Sequence, residues 1–552
     1  MIALKHPLRV GVLLSALALT ACQTTPNKPQ QTASPSSQVL YDKSVASAAM
    51  PANPAAVRFG RSGLTGVASA PIIAPSSTEK YDKITDNGIQ QASEQSVSTF
   101  SLDVDTSSYA NTRRFLTQGQ MPPPDAVRVE ELLNYFPSET KKSQRLDNAP
   151  FAVDYEISRA PWNAEKTLLR VNVQAISVNE KAAPASHLTF LVDVSGSMNA
   201  ADKLPLVQKS LKMLVNKLRP QDTVALVTYA GATAVVLEPT SGSEKSKINR
   251  AIDNLTAGGG TAGGAGLKLA YDMAAQNFVK GDVNRVLLAT DGDFNLGVSS
   301  TEELKAIVKR KREKGITLST LGFGTGNYND AMMEQIADVG NGNSSYIDSV
   351  REAEKVLGDE MGSTLITVAK DVKAQLEFNP ARVREWRQIG YENRQLKRED
   401  FNNDAVDAGD IGAGKRVTVL YELVLTGQKT SVDPLRYQND NGIPVPPSVD
   451  ERMDELAFLK MRWKAPESNT SQLASLAIVA PRQLTAFNAA SSETRFMGAV
   501  AAFGQKLRNN PALQKTSWTE IADWARAGKG TDDAGYRAEF VQLVRDAGRL
   551  MP

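Results

Sequence analysis

Between residues 185 and 368 short apolar runs alternate with longer amphipathic segments. The apolar runs are Leu188–Val192, Thr223–Tyr229, Ala234–Leu237, Arg285–Ala289, Thr317–Gly322 and Ser345–Ile347. The amphipathic segments are Leu204–Leu218, Glu244–Leu255, Gly264–Gln276, Thr301–Lys314, Asp330–Val339 and Arg351–Leu365. A run that is apolar at nearly every position reads as a strand covered on both faces. Apolar residues recurring every three or four positions read as helix. Strands alternating with helices predict an α/β domain with a mostly parallel, doubly wound sheet. The link into Ala234 is too short for a helical crossover, which predicts one antiparallel edge strand.

The flanks carry a different pattern. Over residues 97–184, Phe100–Asp105 alternates apolar and polar, Ser108–Gln118 and Val127–Tyr135 read as helices, and Phe151–Ser158 and Thr167–Val173 read as strands. This is an α+β module. Its stretch Asp103-Val104-Asp105-Thr106-Ser107 reads as a turn and helix cap. Residues 369–552 start β-rich, with Val372–Phe378, Val383–Ile389 and Val417–Leu425. They end in helices at Ser492–Leu507, Thr519–Arg526 and Ala538–Leu550, where Trp518 and Trp524 are expected in the core. Residues 22–96 are rich in Ser, Thr, Pro, Gln, Ala and Asn, a composition that buries too little apolar surface to offset ordering entropy. They are expected to form a tether with a span of about 45–50 Å. Residues 1–21 combine a basic start at Lys5 and Arg9 with an apolar core at Val10–Ala18, which reads as a secretory signal and is too short to span a bilayer.

Candidate chemistry concentrates where the apolar runs stop. The run ending at Val192 gives way to Asp193-Val194-Ser195-Gly196-Ser197, a carboxylate and two hydroxyls at alternate positions. Gly258-Gly259-Gly260-Thr261-Ala262-Gly263-Gly264 sets one hydroxyl among glycines ahead of a helix, and Leu287–Ala289 runs into Thr290-Asp291-Gly292-Asp293. Oxygen-only groups at strand ends suit a hard cation such as magnesium. Open α/β sheets place their sites there.

Together these stretches resemble the von Willebrand factor A (VWA) domain and its metal-ion-dependent adhesion site. The resemblance implies a Rossmann-like sheet and a metal set of Asp193, Ser195, Ser197, Thr261 and Asp291. Ser195 and Ser197 would bind directly, Thr261 in one loop arrangement, and Asp193 and Asp291 through waters or hydrogen bonds. It further implies Mg2+, Mn2+ or Ca2+ with an open position filled by an acidic side chain of a protein partner. The segments "FSLDVDTSSYANTRRFL" and "PPPDAVRVEELLNYF" resemble the N-terminal module of YfbK-type bacterial VWA lipoproteins. Leu19-Thr20-Ala21-Cys22 looks like a lipobox, implying acylation of Cys22, the only cysteine of the chain. Gln23 in place of Asp then favours the outer membrane, facing the periplasm.

Composition narrows the alternatives. The chain holds 63 basic and 61 acidic residues, and loss of residues 1–21 would leave 61 of each. That balance argues against nucleic acid as the partner. The glycine loop lacks the Gly-Lys-Ser/Thr ending of a phosphate loop, so no nucleotide is expected. Beyond the signal the only histidine is His187, which sits before an apolar strand and reads as structural. His-rich zinc sites are excluded. The expectation is a non-enzymatic, lipid-anchored envelope protein that binds a partner through a metal. A structural lipoprotein with a vestigial metal loop, and a carboxylate-based hydrolase, are the competing readings.

Overall fold

The computed structural model describes residues 77–551, apart from 104, 138–142, 147, 180–182, 293–299, 361, 363–364 and 433–453. The signal segment, Cys22 and most of the expected tether therefore lie outside the described residues. The elements ahead of the central domain are β1 (Gln90–Gln91), β2 (Val97–Ser101), α1 (Ser107–Thr117), α2 (Val129–Asn134), β3 (Gln144–Arg145), β4 (Phe151–Ala160) and β5 (Asn163–Ala175).

The central domain follows the alternation in the sequence. Its elements are β6 (Ser186–Asp193), α3 (Leu204–Lys217), β7 (Thr223–Tyr229), β8 (Thr233–Ser241), α4 (Lys245–Asp253), α5 (Gly263–Gln276) and β9 (Val283–Thr290), then α6 (Thr301–Arg312), β10 (Thr317–Phe323), α7 (Asp330–Val339), β11 (Ser344–Ile347) and α8 (Val350–Glu354). The strand order is β11-β10-β9-β6-β7-β8. All neighbours run parallel except β7 and β8, so the antiparallel edge is where the short link places it. Period-two alternation splits β6 between two cores. Phe190 and Val192 pack with α3, α4 and α8, while Leu191 packs with α5, α6 and α7. The single helix expected over Arg351–Leu365 instead breaks after Glu354 into a π-helical turn, Lys355–Asp359. Buried Lys355 there reaches Glu360 at 2.6 Å.

The remaining elements are β12 (Thr367–Phe378), β13 (Val383–Ile389), β14 (Ile411–Gly412), β15 (Arg416–Leu425), β16 (Glu455–Lys464) and β17 (Ser471–Val479), followed by α9 (Ser492–Leu507), α10 (Trp518–Ala527) and α11 (Tyr536–Leu550). The two flanks are not separate modules. β5 pairs antiparallel with β15 from Arg416↔Gln174 to Leu423↔Thr167, and β2 pairs with β12. The result is one sandwich of sheets β1-β13-β15-β5-β4-β3 and β14-β12-β16-β17, closed over Phe151, Leu169, Leu376, Met461 and Trp463. A helical layer of α1, α2, α9, α10 and α11 covers the other face of the first sheet, with Trp518 buried in it and Trp524 packed against it. Local periodicity marks strands but does not name partners more than two hundred residues away, which is why the sequence reads as two modules.

Two further expectations are corrected. Residues 77–96 do not belong to a free tether. Thr78 N–H donates to Gly326 O (2.8 Å), Glu79 pairs with Arg114 (2.8 Å), Asn87 donates to Gly390 O (2.8 Å), and β1 pairs with β13. These anchors are polar, so an apolar-burial criterion misses them. Asp103 and Asp105 do not cap α1. Asp105 instead accepts the Ser344 N–H of β11 (3.0 Å), and Arg394 lies 3.6 Å away, joining the sandwich to the central domain.

Candidate functional site

The strand order reverses between β6 and β9, and their carboxyl ends carry Asp193 and Asp291. Crevices at such switch points are where open α/β sheets bind ligands. Register sets the neighbours. Asp193 lies level with Tyr229 on β7, and the pair Val192↔Ala289 puts it beside Thr290 on β9.

Asp193 is fully buried and holds the site together. Its Oδ1 accepts the Ser195 N–H (2.9 Å), and its Oδ2 accepts the hydroxyls of Tyr229 (3.0 Å) and Thr290 (3.0 Å). Burial pushes its carboxyl above the ordinary range, and the donors from Ser195 and Thr290 oppose that rise. The Thr290 hydroxyl also accepts the Gly292 N–H (3.1 Å), which ties the third loop to the first. Gly196 N–H donates to Gly259 O (3.0 Å), and Gly258 N–H donates to Val194 O (2.8 Å). These two bonds lock the glycine loop against the serine loop. Thr261 follows two residues beyond Gly259, half-buried at the start of α5.

The hydroxyls of Ser195 and Ser197 face each other at 3.1 Å, Ser195 buried and Ser197 exposed. Asp291 is buried, and its Oδ2 accepts from Lys203 Nζ (2.9 Å) and Asn327 Nδ2 (3.2 Å). Burial raises this carboxyl, but Lys203 more than offsets it, with Ser197 and Asn327 adding, so it lies below its usual value.

The structure thus draws Asp193, Ser195, Ser197 and Asp291 to one end of the sheet and locks the loop of Thr261 against them. Sequence reasoning missed Tyr229, Thr290, Lys203 and Asn327. The hydroxyls of Tyr229 and Thr290, each at the last position of an apolar strand, were a legible signal. Asn327 and Lys203 come from loops whose approach is set by tertiary structure. His187 sits at the opposite end of β6, bonded to Thr223 (2.9 Å) and Asp282 (3.0 Å), as a structural residue would be. Asp293 lies outside the described residues.

The donor chemistry is that of a hard cation. Two cis oxygens around octahedral magnesium stand about 2.9 Å apart for bonds of about 2.05 Å, close to the Ser195–Ser197 separation. Among the described residues no three His, Cys, Asp or Glu side chains converge on a metal position. A cavity of about 760 Å³ lies elsewhere, in the helical layer beside Lys506, Trp518, Arg526 and Arg545, and shares no residue with this site.

Three family models match the chain: von Willebrand factor over residues 75–170, von Willebrand factor type A domain over 187–359, and Uncharacterized protein YfbK, C-terminal, over 363–550. Uncharacterized protein YfbK of Escherichia coli (strain K12) is 54% identical over 482 residues, which cover 86% of this chain and 82% of that one. Uncharacterized protein sll0103 of Synechocystis is 30% identical over 186 residues, 34% of this chain and 43% of its own. Among solved structures, the von Willebrand factor type A protein from Catenulispora acidiphila aligns over 74% of this chain and 91% of its own, at 15% identity and a TM-score of 0.40. With its flanks and its centre both matched, the chain belongs to the YfbK family and carries a VWA domain between the two halves of its sandwich.

Proposed function

We propose that this protein captures a protein partner through a divalent cation held at Asp193, Ser195, Ser197, Thr261 and Asp291, while Cys22 anchors it by lipid to the cell envelope, facing the periplasm. The observation that carries the reading is the Ser195–Ser197 hydroxyl pair, 3.1 Å apart, above two buried carboxylates at the switch point. A bound cation would supply a positive centre able to accept a carboxylate from the partner. The chain's own residues prepare that centre. The two serines offer neutral oxygens, which leave most of a cation's charge available. Asp193 spends three acceptor interactions on fixing the loops, so it orients the serines more than it offers a free oxygen. Magnesium fits the hydroxyl spacing, with manganese and calcium as alternatives. This is binding chemistry. The lipid anchor rests on the Leu19–Cys22 sequence; among the described residues no helix is long and apolar enough to cross a membrane.

The test is capture from an envelope extract by residues 73–552, which include the whole compact unit. It is run in magnesium, in chelator, and with Ser197→Ala. Because Ser197 is exposed, this variant removes a ligand without disturbing the core. A partner held in magnesium and released in both other arms is expected. A partner retained in all three would remove the metal loop from the mechanism.

A further inference from the structure

Lys203 belongs to none of the metal-loop residues that the sequence resemblance implies, yet it is built into the site. It directly precedes α3, six residues after Ser197, and its side chain is only 10% exposed. Its Nζ donates to Asp291 Oδ2 (2.9 Å) and Asn327 Oδ1 (3.2 Å), and Asn327 Nδ2 returns a bond to the same Asp291 oxygen (3.2 Å). The three groups close a ring. The aliphatic stem lies across Gly324, where a Cβ would stand 2.4 Å from Lys203 Cε and 2.5 Å from its Cγ. Gly324 also has φ +75, so both its conformation and the passage of the lysine need a residue without a side chain. A long cation threaded over a glycine onto a buried carboxylate is a fixed part of the site, unlike a surface lysine free to move.

The charge consequence follows directly. Among the described residues, the two acidic groups at the metal loops are Asp193 and Asp291; they carry two negative charges when ionised, and Lys203 cancels one. We propose that Lys203 is a tethered counter-cation that keeps the site's hold on a free divalent ion weak and makes tight binding depend on an incoming carboxylate. This rests on the metal-binding reading above. With Lys203 in place, these described groups plus a divalent ion sum to one unit positive, and a carboxylate neutralises that charge. Without Lys203, the loaded site is already neutral and gains less from a carboxylate. A lysine that merely orients Asp291 would act in the opposite direction, because its removal would loosen the site.

The sign of one measurement separates the two. Mn2+ is titrated calorimetrically into residues 73–552 as wild type, Lys203→Met, Lys203→Arg and Ser197→Ala, with and without excess acetate as the carboxylate probe. The expected result is Mn2+ binding at least about tenfold tighter in Lys203→Met, as removal of a nearby like charge demands. Lys203→Arg should stay near wild type, Ser197→Ala should weaken, and the gain from acetate should shrink in Lys203→Met. Should Lys203→Met melt early, Lys203→Gln carries the same expectation, since it loses the charge and keeps an N–H donor. Unchanged or weaker Mn2+ binding in the neutral variants, with wild type and Ser197→Ala behaving as expected, overturns the role of Lys203 and leaves the metal site standing. Binding by the neutral variant but not by wild type supports the counter-cation in its strongest form. Binding by neither overturns both readings.

Discussion

At the scale of single residues, Asp193 and Ser197 belong to the same short loop but answer different questions. Asp193 is fully buried and accepts from Ser195, Tyr229 and Thr290, so its removal leaves three donors facing a carboxylate that is gone. Each buried donor left without an acceptor costs about 1–3 kcal/mol, partly relieved because the charged group no longer has to be desolvated. Asp193→Ala is therefore expected to lower unfolding stability by about 2–4 kcal/mol in urea titration. Ser197→Ala should leave the midpoint where it is. If Asp193→Ala unfolds at the wild-type midpoint, the hydrogen bonds around Asp193 do not organise the loops, and the account of the site's rigidity fails. The same contrast makes Ser197 the cleaner probe of function.

At the scale of elements, the site depends on how closely α5 approaches β7. A Cβ on Gly266 would stand 2.7 Å from Tyr229 Cβ, so the helix rests directly on the strand whose tyrosine holds Asp193. Close packing of this kind tolerates no added volume without a backbone shift. Gly266→Val is expected to destabilise by about 1–3 kcal/mol in the same titration and to weaken Mn2+ affinity by displacing Tyr229. Stability lost with affinity intact would show that the loops are positioned by something other than this contact. Elements of this domain were the most legible part of the chain. The strands at Thr223–Tyr229 and Thr317–Gly322 and the helix at Asp330–Val339 coincide with the observed ones to within a residue, because each is a strong local pattern with punctuation at both ends. β16 and β17 were not read. Lys460, Arg462 and Lys464 interrupt the apolar signal of β16, and Leu456, Leu459, Met461 and Trp463 become a buried face only once β12 lies alongside.

At the scale of the molecule, charged side chains stitch the sandwich to the central domain. Arg113 reaches Asp348 and Glu352, Arg128 pairs with Asp330, and Arg394 bonds Asp338 at 2.9 Å. Among the described residues acids outnumber cations in this seam, and burial raises some of their carboxyls. Burial pushes Glu334 up to about 8, with Arg128 and Arg394 opposing and Glu131 and Asp330 adding. Burial likewise pushes Asp410 up to about 7, and burial with Glu130 does so for Glu392, also to about 7. In the unfolded chain these groups ionise near their ordinary values of about 4. Between about pH 4 and 8 the folded state therefore binds more protons, and stability falls as pH rises through that window. Carboxylates held low, such as Asp291 and Asp222, lose their contribution only at more acidic pH. The melting temperature is expected to be higher at pH 6 than at pH 8. Glu334→Gln should flatten that slope. A melting temperature that rises from pH 6 to pH 8 would mean that these acids are ionised in the folded protein.

The amino-acid sequence by itself determined the alternating α/β order, the antiparallel edge and the placing of Asp193 at a strand end and of Ser195, Ser197, Thr261 and Asp291 in loops. Those properties depend on neighbours within a few residues, on the period of apolar positions and on where it stops. Tertiary structure alone decided the rest. It joined β5 to β15 and β2 to β12 across the whole central domain, and it drew residues 77–96 onto the body through hydrogen bonds. It also laid Lys203 over Gly324 onto Asp291. Pairing of distant strands and the threading of one side chain past another are set by three-dimensional register and close packing, which have no period along the chain to announce them.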